Sequence, residues 1–168
     1  MSENAENAGR AWVYGDNVDT DLLAPGAYMK GPVETMAAHC LEAIDPDFAK
    51  TAKAGDIVVG GRNFGMGSSR EQAAQVLGIL GIRAVIAKSF GGIFYRNAFN
   101  LGLFALVCPD VDKIASGDLL TLDPAAGKIE NLTQGSVIAT EPVPDHLLNI
   151  VGAGGLVPYL EKKIKGAA

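Results

Sequence analysis

The segment from Gly61 to Ala74, GRNFGMGSSREQAA, combines residue types that bind anions. It places Gly65, Gly67, two adjacent serines and Arg70 where an apolar, β-branched run gives way to helix-forming residues. Glycine permits positive φ and close approach of the backbone to a ligand, and the first amides of a helix carry partial positive charge. The guanidinium of Arg70 adds a planar fork that fits a carboxylate or a phosphate. We therefore predict an anion-binding loop at the start of a helix.

The alternative is a purely structural use of the serines. Ser68 with Glu71, and Ser69 with Gln72, match the S-x-x-E/Q pattern of a capping box. Such a cap contributes about 1 kcal/mol to stability, which is the expected cost of Ser68→Ala. It requires neither the glycines nor the arginine, so capping alone leaves the segment unexplained.

Three common loop motifs do not match the segment. A GxxxxGK[ST] loop needs a lysine before the serines, GxGxxG needs glycine at the position of Arg70, and neither serine stands in GxSxG. A serine beside an arginine at a helix start also suits removal of a proton next to a carboxylate, because amide dipoles and a cation stabilise an alkoxide. Elimination of water additionally needs an acid or a Lewis acid. The sequence shows no ligand cluster for one, so we expect a second chain to complete such a site.

Hydrophobic patterns around this loop predict a βαβ arrangement. Apolar, β-branched runs predict strands at residues 10–15, 56–61, 83–89, 103–108 and 136–140, and a hairpin over 119–132. Helical spacing is present over residues 32–44, 70–81 and 91–102, with one or two further helices over 144–166. We expect one α/β domain with a mixed sheet over residues 1–168, with residues 1–9 as a disordered tail.

Composition and charge exclude several classes of function. The 168 residues are 48% apolar with a net charge of −5 and no basic block, which argues against binding of nucleic acid or a membrane surface. No 18-residue apolar run or signal peptide is present, so we predict a cytoplasmic protein. The spacing of Cys40 and Cys108 predicts buried thiols and no metal site. For His39 and His146 we predict core or surface roles.

Three aspartates, Asp16, Asp19 and Asp21, follow the first predicted strand. Their spacing does not fit a calcium loop, because Leu22 falls at the glycine position and Tyr28 at the glutamate position. We predict turn and capping roles for them, or contact with a partner chain.

Four blocks in order resemble the small-subunit family of 3-isopropylmalate dehydratases, within the aconitase superfamily. They are GDNVDTDLLAPGAYM, GDIVVGGRNFGMGSSREQAA, AVIAKSFGGIFYRNAFNLGL and GAGGLVPYLEKKIKG, and the likeness extends from Arg10 to Lys163. The resemblance implies a swivelling β/β/α domain like the mobile fourth domain of aconitase. It also implies a large-subunit partner with a four-iron four-sulfur cluster, whose open iron is the missing Lewis acid, and no cofactor on this chain.

The resemblance also implies roles for individual residues. By motif position, Ser68 is the base that removes and returns a proton, while Ser69, Arg70 and Gly67 bind a carboxylate of a small dicarboxylate substrate. The implied reaction isomerises 2-isopropylmalate and 3-isopropylmalate by dehydration and rehydration in leucine biosynthesis, and it requires the large subunit.

Substrate choice in the family is attributed to the loop after the first strand, here with Tyr28, Met29 and Lys30. Relatives that take a tricarboxylate tend to have an arginine there, and a lysine lacks its bidentate fork. This chain also has Gln72 where many relatives have histidine, and Gly91–Gly92 where Ala-Arg is common. Two alternatives therefore stay open: a paralogous dehydratase for 2,3-dimethylmalate or another substituted malate, and a free-standing carboxylate-binding module.

Overall fold

The computed structural model describes residues 7–167, and these form a seven-stranded sheet with accompanying helices. The strands are β1 (Gly9–Val13), β2 (Ile57–Val59), β3 (Ala84–Ala87), β4 (Phe104–Val107), β5 (Leu119–Asp123), β6 (Lys128–Asn131) and β7 (Ser136–Ala139). The helices are α1 (Thr20–Leu23), α2 (Val33–Ala37), α3 (Phe48–Thr51), α4 (Gln72–Ile79), α5 (Gly92–Asn100), α6 (Asp145–Gly152) and α7 (Leu156–Ala167). Short 3₁₀ helices lie at Gly26–Tyr28 and Val111–Lys113.

Strand β1 joins a parallel half of the sheet to an antiparallel half. The order is β4-β3-β2-β1-β5-β6-β7, with β1 to β4 parallel and β5 to β7 antiparallel. β1 pairs with β2 through Ala11–Val13 and with β5 through Gly9–Arg10. The predicted α/β class with a mixed sheet is therefore confirmed.

The parallel half positions the segment that carries the serines. Every residue of β2 and β3 is buried, as expected for parallel strands that are covered on both faces. α4 follows β2 and buries small and apolar side chains, and α5 follows β3 and buries two phenylalanines. The serine-containing segment thus lies at the carboxyl end of β2, immediately before α4.

The helix predicted over residues 32–44 is wrong in its second half. α2 ends at Ala37, and turns follow. Leu41, although fully buried, has φ of 61°, which ends helical geometry, and its amide donates to the carbonyl of Leu22 at 2.9 Å. A tertiary hydrogen bond therefore replaces the expected intrahelical one. Ile44, the last apolar residue of that helical spacing, is 47% exposed.

The terminal and cysteine predictions have separate outcomes. The expected disorder of residues 1–9 falls mainly on residues 1–6, which lie outside the described residues, whereas Gly9 already pairs in β1. Cys40 and Cys108 are buried as predicted, and burial raises the pKa of both thiols. Within residues 7–167, no helix has the length and apolar character needed to cross a membrane.

Candidate active site

Three loops meet at the carboxyl ends of β1, β2 and β3, the edge where open parallel sheets bind ligands. We call residues 60–71 the serine loop. Backbone hydrogen bonds join it to the loop after β1 on one side and to the loop after β3 on the other. They are Gly61 N to Gly15 O (3.0 Å), Gly65 N to Val18 O (2.6 Å), Thr20 N to Met66 O (2.8 Å), Phe64 N to Ser89 O (3.0 Å) and Gly91 N to Phe64 O (2.8 Å). Main-chain contacts therefore hold the serine loop in place.

Two glycines of the serine loop are required by packing. Gly65 has φ of 78°, and a Cβ on it would stand 2.2 Å from Cγ of Phe94. Gly67 has φ of 115°, and a Cβ there would stand 2.8 Å from Oγ1 of Thr20. A side chain at either position meets both backbone strain and a steric clash. These glycines thus fit the loop against α5 and α1, a role in addition to the predicted close approach of a ligand.

The alternative role of the serines, as caps of α4, is not the one that the structure shows. The N-cap of α4 is Glu71, and no side chain caps it. Helical dihedral angles are already present at Glu71 (φ −58°, ψ −33°), and neither Ser68 nor Ser69 takes the N-cap position. Both serines are exposed, and neither hydroxyl hydrogen-bonds to another residue in the part of the chain that the structure describes.

Around the serines lies a set of unused backbone donors. Among the described residues, the amides of Gly67, Ser68, Ser69, Glu71 and Gln72 have no acceptor. The first amides of a helix are a ready site for an anion. A shallow cavity of about 180 Å³ adjoins them, lined by Gly65, Met66, Gly67, Gly91, Gly92 and Ile93.

Gly91 and Gly92, which line this cavity, differ in the space around them. A Cβ on Gly91 would stand 3.0 Å from the carbonyl oxygen of Gly65, whereas one on Gly92 would meet nothing within 4 Å. Gly92 therefore leaves open space beside the cavity.

Arg70 reaches from the serine loop to α1 and the turn that follows it. Its Nη1 donates to Oδ1 of Asp21 at 2.9 Å and to the carbonyl oxygen of Ala24 at 3.0 Å. The amide of Gly26 donates to the same Asp21 oxygen at 3.1 Å. The hydrogen bond from Arg70, and next that from Gly26, hold the pKa of Asp21 below its usual range. These contacts are therefore complete above the ordinary aspartate pKa and are lost as the pH falls through the lowered pKa.

We call residues 25–31 the Tyr28 segment, and side chains hold it in place. The ring of Tyr28 stacks on the ring of His39, with centroids 3.9 Å apart and an interplanar angle of 6°. Nδ1 of His39 is 2.6 Å from Oε2 of Glu42, and the hydroxyl of Tyr28 is 3.5 Å from Oε1 of the same residue. Met29 and Lys30 are exposed, and Lys30 forms no ion pair within residues 7–167.

The predicted site residues therefore fall into two groups. Gly67, Ser68, Ser69 and Arg70 share one loop, and Arg70 contacts the chain at Ala24, just before the Tyr28 segment. No hydrogen bond or ring contact between described residues joins Tyr28, Met29 or Lys30 to the serine loop.

Of the three aspartates after β1, Asp19 has the predicted capping role, whereas Asp16 bonds to a residue 46 positions along the chain. Asp19 accepts from the amide of Leu22 at 2.9 Å and caps α1, and Asp16 accepts from the amide of Arg62 at 2.7 Å. Sequence reasoning missed the pairing of Asp21 with Arg70, which are 49 residues apart. It also missed the stacking of His39, for which the sequence carries no signal.

Comparison with known proteins places the chain in a family. The model of the aconitase C-terminal domain matches residues 33–111. The 3-isopropylmalate dehydratase small subunit 2 of Archaeoglobus fulgidus is 49% identical over 156 residues, which cover 92% of this chain and 94% of that protein. The chain belongs to the 3-isopropylmalate dehydratase small-subunit family. The resemblance predicted from the four sequence blocks is thereby confirmed.

Other members of the dehydratase small-subunit family agree in sequence and in fold. The isopropylmalate/citramalate isomerase small subunit of Methanocaldococcus jannaschii is 47% identical over 158 residues, with 93% of this chain and 94% of that protein covered. A crystal structure of 3-isopropylmalate dehydratase from the same organism superposes with a TM-score of 0.87 at 44% identity, over 93% of each chain. The mixed-sheet architecture is therefore that of the family.

Proposed function

We propose that this chain is the small subunit of a hydro-lyase that interconverts 2-isopropylmalate and 3-isopropylmalate, the isomerisation step of leucine biosynthesis. One observation carries the proposal. This chain belongs to the dehydratase small-subunit family, and its Ser68 hydroxyl is exposed beside Arg70 and among backbone amides that have no acceptor in the described residues. This arrangement leaves the serine free for a substrate, because it has no structural task within the described residues.

Ser68 is proposed as the residue that moves the proton. As an alkoxide, its Oγ takes the proton from the carbon next to a substrate carboxylate. The electron pair of that C–H bond forms the double bond, and the hydroxyl on the neighbouring carbon leaves with its own electron pair. Addition of water in the opposite sense returns the proton from Ser68 and yields the isomer. The free amides at the start of α4 and the guanidinium of Arg70 support this role, because positive charge and dipoles favour an alkoxide.

Binding of the substrate is proposed to use both groups of residues. The amides of Gly67 and Ser69 and the guanidinium of Arg70 are the donors for a carboxylate of the small dicarboxylate substrate. Tyr28, Met29 and Lys30 are proposed to contact the substituent that distinguishes one malate from another. Support for this second assignment comes from the position of the Tyr28 segment directly after Ala24, whose carbonyl Arg70 contacts.

The proposed reaction needs a partner. A family small subunit implies a large catalytic subunit, which must supply the group that accepts the departing hydroxide. No group of three or more His, Cys, Asp or Glu side chains in residues 7–167 could hold a metal ion. The described residues therefore do not fit as ligands of a four-iron four-sulfur cluster, which we assign to the large subunit. We further propose that the chain is one domain, acts in the cytoplasm and is inactive alone.

A second candidate substrate is a smaller substituted malate. The M. jannaschii relative is named for both isopropylmalate and citramalate, a malate with a methyl substituent. Citramalate and 2,3-dimethylmalate are therefore included in the test.

The proposed function is tested by reconstituting this chain anaerobically with the large subunit of the same organism. Alkene formation is followed by absorbance with 2-isopropylmalate, 3-isopropylmalate, citramalate and 2,3-dimethylmalate. We expect turnover of both isopropylmalates by the mixture and none by either chain alone. Turnover of only the smaller malates would show that one of them, and not isopropylmalate, is the substrate. Binding of a dicarboxylate by this chain alone, with no turnover in the mixture, would instead indicate a free-standing binding module.

A further inference from the structure

The guanidinium of Arg70 is occupied at one nitrogen only. Nη1 carries two hydrogens, and it donates to two acceptors, Oδ1 of Asp21 at 2.9 Å and the carbonyl oxygen of Ala24 at 3.0 Å. An arginine has five N–H donors, so three are left on Nε and Nη2. Within residues 7–167, neither of those nitrogens hydrogen-bonds to another residue.

The unoccupied donors form one edge of the fork. Nε and Nη2 lie side by side and point the same way, which suits two parallel hydrogen bonds to the oxygens of a carboxylate. The Arg70 side chain is 21% exposed, and neither Nε nor Nη2 is among the buried side-chain atoms that lack a partner, so this edge is not sealed by the described residues. Nη2 lies 3.7 Å from the place that a Cβ on Gly26 would take, and the glycine therefore leaves space beside it.

Asp21 is itself held in position. The oxygen that accepts from Arg70 also accepts from the amide of Gly26 at 3.1 Å. Asp21 lies in α1, which Asp19 caps, and the amide of Thr20 ties that helix to the carbonyl of Met66 in the serine loop. The carboxylate is 69% exposed, and exposed ion pairs add little to folding stability. The hydrogen bonds of Asp21 therefore orient Arg70 more than they stabilise the fold.

We propose that Asp21 is a positioning residue that turns the Nε–Nη2 edge of Arg70 toward the substrate carboxylate. The inference rests on the proposed function, because it assumes that Arg70 binds that carboxylate. Asp21 acts through its oxygen as a hydrogen-bond acceptor. Its negative charge alone would weaken attraction of an anion to Arg70, so orientation and charge predict opposite effects of removing the carboxylate.

The test measures kcat and KM of the reconstituted enzyme with Asp21→Ala, Asp21→Asn, Arg70→Ala and the Asp21→Ala/Arg70→Ala double variant. Asparagine keeps an acceptor oxygen and removes the charge. We expect Asp21→Ala to raise KM about tenfold with kcat changed less than twofold, since a misplaced binding group costs affinity. Asp21→Asn is expected to stay within about threefold of the wild-type KM, and the double variant to match Arg70→Ala because both changes act on one contact.

Asp112→Ala is the matched control. It removes a similarly exposed aspartate, which pairs with Lys88 at 2.8 Å, and is expected to leave KM unchanged. Thermal melting and co-purification with the large subunit check that each variant folds and assembles.

Three results would overturn the positioning role: an unchanged or lowered KM for Asp21→Ala, an Asp21→Asn enzyme as impaired as Asp21→Ala, or additive effects in the double variant. An unchanged KM for Arg70→Ala would instead remove the carboxylate-binding role from the proposed function, and the Asp21 proposal with it. The failure of each proposal is therefore recognised by a different variant.

Discussion

The serine loop and the Tyr28 segment share one contact, Asp21, which accepts from Arg70 and from Gly26, but most of each region is held by different parts of the chain. Main-chain hydrogen bonds and glycine packing hold the serine loop, and its serine side chains contact no described residue by hydrogen bond. Side-chain contacts with His39 and Glu42 hold the Tyr28 segment. The proposed chemical group is therefore free to react without disturbing the fold, whereas the position of the proposed specificity group depends on its neighbours.

Substitutions in the two regions are expected to have different effects. Replacing a serine of the serine loop removes a hydroxyl and leaves the backbone contacts intact. Replacing His39 or Glu42 alters how Tyr28 is held, although neither residue is proposed to touch the substrate. Substrate choice is therefore expected to respond to His39 and Glu42, which hold the Tyr28 segment, and the proton transfer to Ser68 in the serine loop.

The largest effect is expected from removing the Ser68 hydroxyl. Ser68→Ala should lower turnover of the reconstituted enzyme by roughly 10²–10⁴-fold, the range for loss of a positioned base. The free energy of unfolding should change by less than about 0.5 kcal/mol, because the hydroxyl makes no hydrogen bond within residues 7–167. Alkene formation and denaturant unfolding measure the two quantities.

Ser136→Ala, in the edge strand β7, is the control for loss of a hydroxyl away from the site, and it should leave turnover unchanged. Near-normal turnover of Ser68→Ala would show that Ser68 is not the base, and that the serine loop does not carry the proposed chemical group.

The second-largest effect is expected from Gly65→Ala, and it is a loss of folding stability. Gly65→Ala combines a φ of 78° with a Cβ 2.2 Å from Phe94, so backbone strain and overpacking should together destabilise the chain by about 2–5 kcal/mol. Gly117→Ala is the matched control, because its φ of 91° brings strain but no atom stands within 4 Å. We expect about 1–2 kcal/mol there. Equal losses in urea unfolding would show that packing on Phe94 does not hold the serine loop.

The smallest effect is expected from His39. His39→Ala removes the ring on which Tyr28 stacks, a contact of about 0.5–1.5 kcal/mol. The ratio of kcat/KM for isopropylmalate to that for citramalate should therefore change by about threefold to tenfold. His39→Phe, which keeps a flat ring, should recover most of the ratio.

The exposed His146 serves as the control, since His146→Ala should leave the ratio as it is. If His39→Ala also leaves it unchanged, or if the phenylalanine does not restore it, the stack does not set the position of Tyr28 for the substrate.

Local patterns account for what could be predicted of the fold. β-Branched runs predicted the parallel strands, and helical spacing predicted the helices within residues 70–81 and 91–102, because these preferences act between neighbours in the chain. The helix over residues 32–44 was predicted wrongly because the amide of Leu41 bonds to Leu22, which local spacing does not reveal. The capping box failed for a related reason: tertiary contacts hold the serine loop so that Glu71, and neither serine, takes the N-cap position of α4.

By itself, the sequence determined the chemical content of the site: two hydroxyls, a guanidinium and glycines at a strand-to-helix junction. It did so because residue type and local spacing are properties of one short segment. Only the tertiary structure decided that Arg70 pairs with Asp21, that Gly65 fits against Phe94 and that Tyr28 stacks on His39. Those contacts join residues that are distant in the chain or separated by turns, and they follow from how the loops pack at the edge of the sheet.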